Sequence, residues 1–163
     1  MPTRDITDRQ LKAFDRFLKL LPHGRELDLV ILKAHLLIEE QVNALIQERL
    51  KNSSVILGEE RFESYYRICL AQSFFPPDFQ PWLWRALKQM NKLRNRVAHK
   101  IEPEGLDNVI EDLIQSMPGE FGKVGSTRQE RFELTLWSLF DAVSELVESR
   151  KAPVVELVNR EDA

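Results

Sequence analysis

The chain has 163 residues, of which 43% are hydrophobic and 30% charged, with a formal net charge of −3. That length and composition suit one globular domain with a full core, and the mild acidity excludes a protein that coats nucleic acid over its whole surface, though not a local basic site. The single cysteine, Cys69, excludes an internal disulfide and reads as a small buried hydrophobe in a protein of the reducing cytoplasm.

The polar start MPTRDITDRQ does not read as a secretory leader. The longest apolar run, LVILKAHLLI, is broken by Lys33 and His35, so no membrane span is expected. The first helix is predicted to start at Thr7, which has capping-box spacing to Gln10 and is followed at helical intervals by Leu11, Phe14, Leu18 and Leu21. Pro22-His23-Gly24 ends it and leaves His23 in an exposed turn. The second helix, Glu26 to Lys51, would be about 40 Å long. Its first half is apolar nearly all round (Leu27, Leu29, Val30, Ile31, Leu32, Leu36, Leu37, Ile38), as in a central helix or one that also meets a second copy. His35 and Glu39 lie one turn apart on it and share a face; a histidine satisfied within a packed helix is the plainer reading of His35.

A third helix is predicted over Glu59 to Ser73, with Phe62, Tyr65, Tyr66, Ile68, Cys69 and Leu70 on its buried side. Phe74 to Phe79 holds Pro76 and Pro77 and reads as a stiff aromatic loop that caps the core, and Pro81 suits the first turn of a fourth helix, Trp82 to Lys100. A fifth runs from Leu106 to Met117. The loop Pro118 to Ser126 carries three glycines without the spacing of a phosphate loop. The sixth, Thr127 to Arg150, presents Phe132, Leu136, Leu139, Phe140, Val143, Leu146 and Val147 on one face and Glu130, Asp141, Glu145 and Glu148 to solvent. The expected fold is therefore all-α: residues 1–151 form a single-domain helical bundle of about six helices, the second, third, fourth and sixth making its core, and 152–163 form a tail.

The fourth helix carries the unusual chemistry. On a helical wheel Leu83, Ala86, Leu87, Met90, Leu93 and Val97 share one side, and Arg85, Lys88, Lys92, Arg96 and His99 the other, with Asn95 at the edge. From Arg85 to Lys100 there are six cations and no carboxylate; removing six positive charges from −3 leaves about −9 for the rest of the chain. A cationic stripe on an acidic protein is a candidate anion site, and Arg85, Lys88, Lys92, Arg96 and Lys100 are its candidate nucleic-acid-binding residues. Three histidines and one cysteine, none spaced as ligands, point to no metal site, and nothing in the sequence calls for a cofactor.

The stripe ends in Leu93-Arg94-Asn95-Arg96-Val97-Ala98-His99. Here the sequence resembles the HEPN superfamily, whose active members carry the pattern R-N-x-x-x-H near the end of a late helix of a helical bundle. LVILKAHLLIEEQVNALI is similar to the long early helix of small prokaryotic HEPN-like proteins, so the resemblance spans about residues 26–100. It implies a homodimer whose two motifs meet in one cleft and a metal-independent endoribonuclease that cleaves RNA by attack of the 2′-hydroxyl, leaving a cyclic phosphate. The implied catalytic set is Arg94, Asn95 and His99. Histidine is the side chain suited to proton transfer at neutral pH, arginine to bidentate phosphate contact, and Asn95 would orient the ring or touch the RNA. Superfamily toxins that pair with nucleotidyltransferase antitoxins usually have a tyrosine two positions after the histidine. Ile101 stands there in this chain, which weakens an antitoxin partner and leaves a ribonuclease of stress or phage defence.

Two readings remain open at the motif. Arg94 and His99 are five residues apart and point roughly 140° from each other on a regular helix, which puts Arg94 beside Met90, Leu93 and Val97. Either the helix loosens near Ala98, or Arg94 reaches the site from the edge of the apolar face; otherwise Arg94 is a buried strut paired with Glu39 or Glu40. In that last case the protein resembles mannitol-repressor-like helical regulators, binding a protein, nucleotide or RNA without cutting.

Overall fold

The computed structural model describes residues 5–101, 104–119 and 127–149. They form seven helices and, among the described residues, no strand: α1 (Asp8–Leu20), α2 (Leu27–Arg49), α3 (Ser54–Leu57), α4 (Ser64–Ser73), α5 (Pro81–His99), α6 (Leu106–Ser116) and α7 (Arg128–Ser149). The all-α bundle is as the periodicity predicts. The tail 152–163, Pro103 and most of the glycine loop lie outside the described residues. Among the described residues no helix is long and apolar enough to cross a membrane.

α2 is the axle. It packs against α1, α4, α5 and α7, and buries Val30, Ile31, Ala34, Leu37, Ile38, Val42, Leu45 and Ile46. Of the two readings of its apolar first half, burial on every side within one chain does not hold for Leu29 and Leu36, which are exposed, and a meeting with a second copy stays open. They lie two turns apart on a side left open among the described residues. α6 also contributes a full apolar face (Ile110, Leu113, Ile114) against α5 and α7, so the core is broader than the four helices expected from sequence. The predicted face of α7 is buried throughout, from Phe132 to Val147.

α1 begins where the sequence places it. Gln10 N–H donates to Thr7 Oγ1 at 3.1 Å and Thr7 N–H to Gln10 Oε1 at 3.2 Å, a reciprocal capping box. Its buried stripe, however, is Gln10 and Phe17 flanked by Ala13 and Phe14, while Leu11 and Leu18 face solvent. The stripe can turn this way because the buried Gln10 amide has partners at both ends: its Nε2 donates to Glu145 Oε1 at 2.8 Å and its Oε1 accepts from Thr7 N–H. Phe17 meets Phe140 and Trp137 at ring distances of 4.6 and 5.4 Å. Arg9 bonds Glu148 of α7, Gln41 of α2 (3.0 Å) and the Ser144 carbonyl (3.2 Å). Glu145 and Glu148 thus tie helices together rather than stand in solvent.

The predicted third helix starts late, at Ser64. The residues ahead of it instead form the single turn α3 and a loop held by Arg67. That guanidinium donates to the Phe62 carbonyl (3.0 Å), the Leu57 carbonyl (3.2 Å) and Asn43 Oδ1 (3.0 Å). On α4, Ile68 and Ala71 face the core, and Tyr65 and Tyr66, expected inside, are 46% and 55% exposed. The aromatic loop caps the start of α5: Phe75 stacks on Phe79 at 4.7 Å, and the Trp84 indole N–H donates to the Phe79 carbonyl at 3.1 Å.

Candidate functional site

α5 enters at Pro81, in its first turn, and stays regular to its end, where Lys100 N–H still bonds the Arg96 carbonyl at 3.1 Å. The helix does not loosen near Ala98. Its inner face (Leu83, Trp84, Ala86, Leu87, Met90, Leu93) is buried, which forces the cationic face outward. Arg85, Lys92, Asn95, His99 and Lys100 are exposed, and Lys88, Arg94 and Arg96 are half-buried.

Two hollows flank the last turns of α5. One is a cleft of about 660 Å³ between α5, α2 and α4, and Arg94, Asn95 and His99 all line it, beside Glu39, Asn91, Tyr65 and Arg67. The other is a groove of about 610 Å³ lined by Lys88, Lys92, Arg96 and Lys100. Tyr65, Asn91, Asn95 and His99 border both and form the ridge between them. Arg85 lines neither, so the predicted cationic stripe divides: four of its cations gather at the groove, and Arg85, two turns before Lys92, lies outside both hollows.

The side chains of the cleft have defined partners. Arg94 Nη1 donates to Asn95 Oδ1 at 3.1 Å, and among the described residues no ion pair joins Arg94 to Glu39 or Glu40. Glu40 of α2 is taken by α1: Arg16 grips it through Nε and Nη2, both at 3.0 Å, on the protein surface. The expectation of Glu40 as a partner of Arg94 is thereby corrected. Glu39 instead accepts from the Ser64 hydroxyl, tying α2 to the start of α4. Lys88 Nζ donates to Gln72 Oε1 at 2.9 Å and stands 5.8 Å from the Tyr65 ring centroid. Arg96 places Nη1 close to Gly105, ahead of α6.

Behind the cleft lies His35, 5% exposed. Burial pushes its imidazole below the ordinary histidine range, Glu39 pulls it back up, the Arg94 charge lowers it, and a hydrogen bond with Asn91 raises it. Its Nδ1 atom has no hydrogen-bond partner among the described residues, and the residue lines a cavity of about 20 Å³. His35 is a packed histidine, but one that feels both Glu39 and Arg94. At the cleft mouth the neighbouring Cys69 raises the Tyr65 phenol above its usual range.

Sequence reasoning reached Arg94, Asn95 and His99 and missed Tyr65 and Asn91. Tyr65 sits at the first turn of a short helix, where apolar periodicity has too few turns to show that the ring overhangs the core edge. Asn91 is a buried amide on an apolar face, a signal of a polar neighbour such as His35. No protein-family model, curated protein or solved structure matches the chain.

Proposed function

We propose that the protein is an endoribonuclease that works at the α5 terminus by 2′-hydroxyl attack. The observation that carries this is the convergence of Arg94, Asn95 and His99 on one cleft that opens over a shared ridge onto a groove of four cations. The groove tracks the RNA backbone and delivers a phosphate to the ridge. His99, exposed and at the helix end, takes the proton from the 2′-hydroxyl. The 2′-oxygen then bonds to phosphorus, the bond to the 5′-oxygen breaks, and that oxygen takes up a proton as it leaves. Arg94, its guanidinium turned onto Asn95, offers its remaining N–H groups to the phosphate oxygens as their charge rises. The product is a 2′,3′-cyclic phosphate. In the homodimer that the HEPN resemblance implies, a second His99 supplies the acid.

The test is cleavage of total RNA by purified protein in excess chelator, beside His99→Ala and Arg94→Ala. Loss of cleavage in a folded His99→Ala protein, by about 10²- to 10⁴-fold, is the expected result. Equal cleavage by wild type and His99→Ala removes the site. No cleavage by the wild type, with RNA still bound, moves the function to a non-catalytic regulator.

A further inference from the structure

We propose that the exposed Tyr65–Tyr66 corner is a stacking platform for an unpaired base, so that the RNA presented to His99 is single-stranded. This rests on the ribonuclease reading for the identity of the substrate, but its observations come from α4 and not from the catalytic motif. Two adjacent tyrosines on a short helix of a small bundle turn their rings out, 46% and 55% exposed, although Ile68 and Ala71 of the same helix are buried. The rings meet edge to face with centroids 5.7 Å apart, a favoured arrangement for an aromatic pair. Lys88, itself steadied by Gln72, stands 5.8 Å from the Tyr65 centroid.

A flat π surface beside a row of cations matches a nucleotide in both its halves, base and phosphate. Stacking takes the first and the ammonium and guanidinium groups the second. Tyr65 borders both hollows, as His99 does. A base stacked on Tyr65 therefore sets its adjoining phosphate on the Asn95–His99 ridge, and the ring selects the nucleotide to be cut. A duplex does not offer this contact, because its bases are already stacked on one another and A-form RNA exposes only edges, 2′-hydroxyls and phosphates. Stacking tolerates every base, so weak sequence preference goes with strong strand preference.

The test separates binding from cleavage. Binding is measured in a His99→Ala background, in EDTA, by anisotropy of a 5′-fluorescein RNA of about 12 nucleotides, alone and annealed to its complement. The expected result is single-strand binding tighter than duplex binding by about tenfold or more, and a further Tyr65→Leu change that weakens single-strand binding by about 5- to 100-fold while duplex binding holds. Tyr65→Phe, which keeps the ring and loses the hydroxyl, should bind as the parent does, and unchanged helicity by circular dichroism confirms the fold of each variant. Equal loss on both RNAs, no loss in Tyr65→Leu, or no binding of either RNA overturns the platform. Cleavage is followed separately with His99 intact. If the binding pattern holds and nothing is cut, the ribonuclease reading falls and the platform stands; if RNA is cut and Tyr65→Leu binds normally, the platform alone falls.

Discussion

The Arg94 guanidinium donates through Nη1 to the Asn95 carboxamide oxygen at 3.1 Å. On a regular helix Arg94 lies roughly 140° from His99, whereas Asn95 lies only about 40° from it. The bond to Asn95 therefore draws the arginine head round from the apolar side toward the azimuth of the histidine. It does so without any distortion of α5, whose hydrogen bonding continues to Lys100. Arg94→Ala is expected to lower cleavage by about 10²- to 10³-fold. Arg94→Lys should recover little of it, because an ammonium cannot hold Asn95 and a phosphate in one plane. Asn95→Ala should cost less than Arg94→Ala, since the guanidinium remains but is no longer held. Single-turnover rates for the three variants give the order, and a larger loss in Asn95→Ala would overturn this account.

The buried His35 predicts how stability responds to acid. Burial is the largest influence on it and lowers its folded pKa below the ordinary 6.5, with Glu39, Arg94 and Asn91 as the facing groups. The unfolded chain then binds a proton at a pH where the folded chain does not, so stability is full above the ordinary value and falls as pH drops below it. The fall continues until the folded ring also titrates. Thermal melts at pH 7 and at about pH 5 should show a larger drop for wild type than for His35→Leu, which removes this titration and leaves the carboxylates in place. Equal drops would mean that His35 is not the group responsible.

Arg67 is the lock on the loop between α2 and α4. Its guanidinium ties the Phe62 and Leu57 carbonyls and the Asn43 side chain through three hydrogen bonds. It lines the cleft, yet three of its five N–H donors are held by the protein, so it serves as a wall rather than a phosphate clamp. Arg67→Met should destabilise the fold by about 1–3 kcal/mol through the unpaired carbonyls and should loosen the loop ahead of Tyr65. Denaturant unfolding measures the first effect. RNA-binding salt slopes should be unchanged, and a reduced slope would show Arg67 on the phosphate after all.

How much of this was legible in the sequence depended on what each signal measures. Long amphipathic segments such as α5 and α7 declare their buried faces, because many apolar residues at a 3.6 period outweigh local exceptions. The cap at Thr7 was legible for the same reason: its chemistry is local, within three residues. The motif Arg94-Asn95-His99 was legible as spacing, but whether Arg94 reached Glu39, Glu40 or the cleft was not. That depended on Arg16 engaging Glu40 from α1 and on Ser64 engaging Glu39 from α4. The outward turn of Tyr65 and Tyr66 was illegible because burial at the end of a short helix depends on where its neighbours stop, not on its own pattern.

The division of the cationic stripe is the sharpest quantitative handle on the proposed RNA site. Lys92, Arg96 and Lys100 line the groove and Arg85 lines neither hollow, although Arg85, Lys92 and Arg96 share a face of α5 and Lys100 caps its end. A cation that neutralises a phosphate releases a counterion, and its loss lowers the slope of log K against log salt by about 0.7 for a single strand. Lys92→Ala and Lys100→Ala should each reduce the slope by about that amount, and the double variant by about twice as much. Arg85→Ala should weaken binding only through general charge and leave the slope nearly unchanged. Titrations of a labelled single strand at several salt concentrations read all four proteins in the same way. If Arg85→Ala lowers the slope as much as Lys92→Ala, the RNA runs along the whole of α5 and not through the groove beside His99. Every cation of the helix would then count alike, and the ridge would lose its claim to place the scissile phosphate.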